Sequence, residues 1–302
     1  SRGSQIFQVT LTSFLLCFLL GIGGIAPSFP ADASSRSRTE SKPVAPIRVK
    51  QGDVFYFSIQ AGDGTTTVQG RFRGRTIPFF KTEDPERFGA LIGVDLADLP
   101  SKEDLRVEVS TEAGSVERRQ YAVEVLPVHF ATQELTVPKN YVDLDEETAK
   151  RAEEEQEKIL QSLNHVTSQR FWEGRFIIPV EGKIAGSFGL RRIMNGQARS
   201  PHSGEDINAP KGAEVHATNE GVVALVGDFF FSGKSVVLDH GLGLYSMYFH
   251  LDEVDVAEGA KVRKGEVVGK VGATGRATGP HLHWGTRING ARVNPFSIVN
   301  VE

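Results

Sequence analysis

Two short stretches carry the residue types that chemistry needs. The first, inside Pro201–Asp206, reads His202-Ser203-Gly204-Glu205-Asp206. The second, inside Pro280–Trp284, reads His281-Leu282-His283. Imidazole and carboxylate groups at short fixed spacings suit a divalent transition metal. Zn²⁺ in particular takes three protein ligands and keeps a fourth position for water when it is catalytic. The His-x-His spacing implies a strand, because alternate side chains on a strand face the same way and Leu282 then points to the other side. The His-Glu-x-x-His pattern of many zinc proteases is absent, so the chemistry rests on His-x-x-x-Asp together with His-x-His.

Further stretches fall in order around these two: Gly186-Ser187-Phe188-Gly189, Asp206-Ile207-Asn208-Ala209-Pro210-Lys211-Gly212, Tyr248-Phe249-His250-Leu251, a Gly-x-x-Val-x-x-Gly pattern near Lys264-Gly265, and Thr274 to His283. With them the chain resembles the lysostaphin/LytM-type zinc metallopeptidases over residues Phe176 to Pro295. The resemblance implies a compact antiparallel β-sheet with a long groove. It implies Zn²⁺ held by His202, Asp206 and His283, and His250 and His281 as catalytic histidines that do not bind the metal. One of these two takes a proton from water and the other orients the water or stabilises the developing oxyanion. The implied activity is a zinc metalloendopeptidase that hydrolyses amide bonds of peptidoglycan peptides.

Blander readings stand beside each residue. A lone histidine before a loop is ordinarily a polar surface residue, and His202 gains weight only from Asp206, His281 and His283 at the matching spacing. His250, on a Tyr-x-His-Leu strand, can also be read as a buried structural histidine. His216 reads as a strand-face residue and His240 as a turn residue, while His129 and His165 lie outside the matched region. Arg191 and Arg192, in the loop before His202, read either as partners of a local acid or as binders of a substrate carboxylate. The glycine-bridge-cleaving members carry a tyrosine shortly before the first ligand histidine; Asn195 to Ser200 has none, which favours cleavage of stem-peptide cross-links.

Three alternatives to this function differ in class. A non-catalytic wall-binding or hydrolase-activating member of the family would lack a ligand, and here all five site residues are present. A biotinyl- or lipoyl-type carrier is suggested by the turn pattern of Gly259–Gly269, but its lysine motif is missing. An enzyme acting on exported proteins rather than cell wall is the third.

The elements that must position these residues are mostly strands. At 302 residues the chain is long enough for two domains, with a net charge of −4 that gives no sign of a nucleic-acid partner and 32 glycines that suit a turn-rich β protein. From Arg175 to residue 302, the zinc metallopeptidase domain, the strands expected are Phe176–Val180, Val222–Val226, Ser235–Leu238, Tyr245–Tyr248, Val267–Val271 and His281–Arg287. Residues 47–128 show short apolar stretches between turns, among them Val54–Ile59, Thr66–Gly70, Ala90–Leu96 and Leu105–Ser110. They predict a small β-sandwich of immunoglobulin-like type, a spacer or binding module. Residues 129–174 form a linker in which Asp145–Ser168 reads as an amphipathic helix. That helix is either a connector or a cover over the cleft, and as a cover its removal together with everything before Arg175 raises activity. The fold class is therefore mainly β: N-terminal β-sandwich, linker helix, C-terminal antiparallel sheet.

Residues 1–33 read as a secretory signal peptide: Arg2, an apolar run from Phe14 to Leu20, and small residues at Ala31-Asp32-Ala33. The polar residues Gln8, Thr10, Thr12 and Ser13 make the run a poor membrane span. Cys17, the single cysteine, follows Leu16 and carries no lipoprotein signature, so a cleaved chain is free of thiols. Residues 34–46 read as a flexible lead-in. The expected location is the periplasm or the cell exterior, with peptidoglycan peptides as partner.

Overall fold

Alternation of buried and exposed residues organises the chain from its first described strands. The computed structural model describes residues 45–136 and 143–301; the signal-peptide reading and nearly all of the lead-in lie outside them. Strands β1 (Ile47–Lys50), β2 (Val54–Gln60), β3 (Thr65–Phe72), β4 (Arg75–Pro78), β5 (Phe80–Lys81), β6 (Arg87–Gly93), β7 (Ser101–Thr111) and β8 (Val116–Leu126) come first. They form a five-stranded sheet ordered β1-β8-β7-β3-β4 and a three-stranded sheet ordered β2-β6-β5. Phe57, Ile59, Phe88, Ala90 and Ile92 of the smaller sheet share one core with Val68, Phe72, Leu105, Val107 and Val123 of the larger. This is the expected sandwich, two sheets burying their inner faces on one another.

The smaller sheet is buried on its other face too. Val54 and Leu91 pack with Trp172, Phe176, Leu244, Ile288 and Val293 of the C-terminal half. Gly93 lies so close to Ile288 and Val293 that a Cβ there would fall within 3 Å of both side chains. Across the same contact Arg292 donates two side-chain hydrogen bonds to Asp95, at 3.0 and 2.6 Å. Burial works against ionisation of Asp95, but the Arg292 hydrogen bonds outweigh it and hold the carboxyl below its usual range.

A strand not foreseen in the linker, β9 (Thr132–Leu135), follows the sandwich. Helix α1 spans Glu146–Ser162, with Asp145 capping its N-terminus by accepting from the Thr148 N–H at 2.9 Å. It ends six residues before the expected Ser168. There the chain closes with tighter turns, Leu163 N–H to the Leu160 carbonyl and Asn164 N–H to that of Gln161, and beyond it the Tyr245 hydroxyl donates to the His165 carbonyl and Leu242 N–H to that of Thr167.

The C-terminal half contributes β10 (Lys183–Ile184), β11 (Arg191–Met194), β12 (Gln197–Ala198), β13 (Gly204–Asn208), β14 (Glu214–His216), β15 (Gly221–Phe229) and β16 (Gly233–Gly241). After these come β17 (Leu244–Val254), β18 (Lys261–Val262), β19 (Val267–Val271), β20 (Leu282–Ile288), β21 (Ala291–Val293) and the short α2 (Pro295–Val299). The main sheet runs β10-β13-β20-β17-β16-β15-β18, with β14, β19 and β21 attached, and every pair in it is antiparallel. Phe176–Val180 is not a strand, contrary to expectation; Pro179 within it has no N–H to give a ladder, and only isolated bonds such as Ile177 N–H to the Thr218 carbonyl tie it down. The linker strand β9 pairs in parallel with β11, Arg191 opposite Thr132 and Met194 opposite Leu135.

One face of the main sheet buries Ile207, Val236, Leu238, Tyr248, Leu251, Leu282 and Trp284 in the largest C-terminal core. On the opposite face Ile159 of α1 and Leu163, the residue just past its end, pack against Leu225, Val237, Tyr245 and Met247.

Candidate metal centre

Register places the site. Across three neighbouring strands Asp206 pairs with His283, and His283 with Phe249. Residues directly opposite in an antiparallel ladder point to the same side, so the three side chains form a row on the face that carries α1. The adjacent row, Glu205, Trp284 and Tyr248, points into the core. Phe249 stacks flat on the His283 ring, 5.5 Å between centroids and 7° between planes.

His202 reaches the row from the preceding loop. Its main chain is pinned by its own N–H to the Leu190 carbonyl and by Gly189 N–H to its carbonyl. Its Nδ1 lies 3.1 Å from the Ser187 carbonyl. A carbonyl only accepts, so Nδ1 carries the proton and Nε2 a lone pair. That nitrogen lies 3.0 Å from His283 Nδ1 and 3.2 Å from Asp206 Oδ1, and the last two atoms are 3.0 Å apart. Two acceptors, His202 Nε2 and Asp206 Oδ1, converge with His283 Nδ1 on one point, an arrangement that a proton on His283 or a cation reconciles. Tetrahedral Zn²⁺ with bonds of about 2.0–2.1 Å sets its ligand atoms about 3.3 Å apart, so the donor set fits the ion in both chemistry and size. Among the described residues this is the one group of three such side chains close enough to hold a metal.

The electrostatics agree. Burial pushes the Asp206 carboxyl up, but the polar contacts with the His202 and His283 imidazoles outweigh it and hold the group well below the ordinary carboxylate range. Burial lowers His283, so it too favours the neutral, ligating form. Arg192 brings a guanidinium nitrogen to 3.9 Å from Asp206 Oδ2, on the side away from the two imidazoles. Of the two readings for Arg192, the local acid is present.

The remaining pair, His250 and His281, stands beside the three. His281 Nε2 is 3.9 Å from Asp206 Oδ1, and the His250 ring centre is 4.8 Å from that of His281 and 6.2 Å from that of His283. Each Nδ1 is set against a carbonyl at 2.9 Å, Thr274 for His250 and Gly279 for His281, so each presents an Nε2 lone pair. Burial lowers the pKa of His250 to about 4. Strict alternation would turn His250 away from Phe249. Instead its φ is +64°, a region that costs a non-glycine residue about 1–3 kcal/mol and occurs where a site requires it. Its N–H goes to the Ser232 carbonyl, outside the regular ladder.

All five sequence-predicted residues thus come together. His216 lies on β14 with Nδ1 3.0 Å from the Gly265 carbonyl, away from the centre. His240 is not a turn residue: it is fully buried on β16, with Nδ1 at 2.6 Å from the Glu220 carbonyl and Nε2 at 2.7 Å from the Ser246 hydroxyl. Sequence reasoning assigned no role to Ser187, Glu205, Phe249 or the carbonyls of Thr274 and Gly279. The signal that could have found them is their place inside the matched stretches: Ser187 in Gly186–Gly189, Glu205 in His202–Asp206, Phe249 in Tyr248–Leu251, and Thr274 and Gly279 in the stretch leading to His283.

An antiparallel sheet thus bears a His/Asp/His cluster able to hold a divalent metal, with two further histidines beside it. Residues 200–295 match the family description Peptidase family M23. A solved structure of a Pseudomonas aeruginosa protein ascribed to peptidase M23 is similar over 86% of this chain and 97% of its own, at 30% identity and a TM-score of 0.65. The chain belongs to peptidase family M23, as its resemblance to the lysostaphin/LytM-type enzymes implies. It is also 43% identical over 116 residues to DD-carboxypeptidase/endopeptidase Mpg of Neisseria meningitidis, covering 38% of this chain and 27% of that one. It is 36% identical over 121 residues to peptidoglycan DD-endopeptidase ShyA of Vibrio cholerae, covering 40% of this chain and 28% of that one. The chain therefore matches little more than a quarter of the length of these two relatives. No helix among the described residues is long and apolar enough to cross a membrane.

Proposed function

We propose that this peptidase is a zinc metalloendopeptidase acting on amide bonds of peptidoglycan peptides, exported to the periplasm or beyond. The observation that carries the reading is the convergence of His202 Nε2, Asp206 Oδ1 and His283 Nδ1 at 3.0–3.2 Å. These three atoms would hold the ion. When bound, Zn²⁺ polarises the scissile carbonyl and lowers the pKa of a water towards neutrality. The name of ShyA, peptidoglycan DD-endopeptidase, supports the substrate class, and that of Mpg, DD-carboxypeptidase/endopeptidase, supports the peptide-bond chemistry.

The chain's own residues divide the proton work. His250 and His281 have their Nδ1–H groups committed to carbonyls, so both enter the reaction as acceptors through Nε2. Whichever takes the proton of the attacking water becomes an Nε2–H donor, able to pass that proton to the leaving amine or to steady the oxyanion. A histidine held this way cannot donate before it has accepted, which ties the second role to the first.

The test is zinc content and release of fragments from purified peptidoglycan, measured together on the parent and on His283→Ala. The expected result is about one zinc per chain in the parent and loss of both properties in the variant. A parent that holds zinc and leaves peptidoglycan intact sinks the substrate assignment; a parent without zinc sinks the mechanism.

A further inference from the structure

We propose that Glu205 is a positioning residue for the metal centre, acting through the Ser187–Phe188 turn; the inference rests on the zinc reading above. Glu205 precedes the ligand Asp206 but faces the other way, into the core beside Trp284, and is 3% exposed. An apolar residue would ordinarily fill such a place, because a buried carboxylate is costly unless its oxygens are satisfied. Among the described residues no cation lies within ion-pair range of it. Its partners are instead the turn of the Gly186–Gly189 motif: Oε1 accepts from Ser187 N–H at 2.6 Å and from the Ser187 hydroxyl at 3.1 Å, and Oε2 from Phe188 N–H at 3.4 Å.

That turn touches two of the three ligands. The Ser187 carbonyl accepts from His202 Nδ1–H at 3.1 Å, and the Ser187 hydroxyl oxygen accepts from the backbone N–H of Asp206 at 3.0 Å. One residue therefore sets the tautomer and direction of the first imidazole and also pins the strand at the carboxylate ligand. Glu205 fixes that residue at both its backbone N–H and its hydroxyl. Outer partners that orient a ligating histidine contribute about 10–100-fold to metal affinity.

The experiment uses the full chain and reads zinc affinity by competition with a chelator, the visible spectrum of the Co²⁺-loaded protein, and thermal unfolding of the metal-free protein. Variants are Glu205→Met, which keeps the volume and removes every acceptor, Glu205→Gln, which keeps one, and Ser187→Ala. Zinc affinity is expected to fall about 10–100-fold in Glu205→Met, with Gln between it and the parent. The Co²⁺ bands should shift, and the metal-free unfolding temperature should not follow the affinity, since an apolar isostere suits this core. Asp95→Asn, which breaks the remote Arg292 pair, serves as control and should lower the unfolding temperature without moving zinc affinity. Affinity within about twofold of the parent in a folded Glu205→Met overturns the proposal. If that variant does not fold, unchanged affinity in both Glu205→Gln and Ser187→Ala overturns it equally. Absence of zinc binding in the parent removes the zinc reading, and this inference with it, at the first measurement, before any variant is compared.

Discussion

At the scale of single residues the centre depends on space as much as on donors. Gly204 sits between His202 and Asp206, and a methyl group there would lie 2.6 Å from both His283 Nε2 and the Trp284 carbonyl. The backbone carbonyl cannot yield, so Gly204→Ala should cost about 1–3 kcal/mol by overpacking and push His283 off the metal. The expected outcome is a lower unfolding temperature together with weaker zinc retention; a variant that melts lower but keeps its zinc would mean His283 is free to adjust. His240 supplies a pH prediction away from the metal. Burial lowers its pKa to about 4, whereas in the unfolded chain it takes a proton near the ordinary histidine value of about 6.5. Between those values the unfolded state binds more protons, so stability is complete above about pH 6.5 and falls as pH drops towards 4, by on the order of 1–3 kcal/mol. Burial lowers His250 and His283 in the same sense, so the test is a comparison: urea unfolding across this window should show a shallower slope for His240→Gln than for the parent. Equal slopes would remove His240 from the account.

At the scale of elements, α1 is a brace on the face of the sheet that carries the candidate metal site. Ile159 and Leu163 join the cluster that includes Tyr245 and Met247, with Phe249 packed against it, and Phe249 in turn stacks on His283. Glu155 accepts the N–H of Phe230 at 2.6 Å, fixing the tip of the β15–β16 hairpin. That hairpin also supplies the Ser232 carbonyl on which the His250 backbone rests. Ile159→Ala, at a site 6% exposed, should destabilise by about 2–4 kcal/mol, read from denaturant unfolding. Turnover per folded molecule is expected to stay the same. A rise in turnover would instead make α1 a cover that has to lift.

At the scale of the whole molecule the N-terminal sandwich and the peptidase sheet share structure. Phe188, in the turn that orients His202, packs against Phe130 edge to face at 6.1 Å and lies over Gly52. Strand β9 pairs alongside β11, which leads into the same loop. The buried face of the smaller sheet covers Leu244, Ile288 and Val293. Removing everything before Arg175 strips that cover together with Trp172 and α1. The expected product is therefore a destabilised, aggregating fragment rather than a more active enzyme, checked by its melting temperature and its elution in size-exclusion chromatography. Asp95→Asn is the milder probe: leaving Arg292 without its carboxylate in a largely buried pair should cost about 3–5 kcal/mol, seen as a drop in unfolding temperature.

Residue types and spacing were enough to reach the family and to single out the residues proposed for the metal centre. Five residues, His202, Asp206, His250, His281 and His283, were legible because metal ligation demands particular residue types, and period-two strands put His281 and His283 on one side. The sandwich strands and the start of α1 were legible for the same local reasons, alternation and capping. What only the tertiary structure decided lies where distant segments supply each other's hydrogen-bond partners. His250 faces the site against its strand alternation because a left-handed residue, anchored to Ser232, turns it. Phe176–Val180 fails as a strand because Pro179 cannot donate. Glu205, which reads as a polar residue on a strand, becomes a buried acceptor only because the turn at Ser187, eighteen residues earlier, folds over it. Residue type and period are properties of a segment, whereas the satisfaction of a buried polar group is a property of the assembled fold.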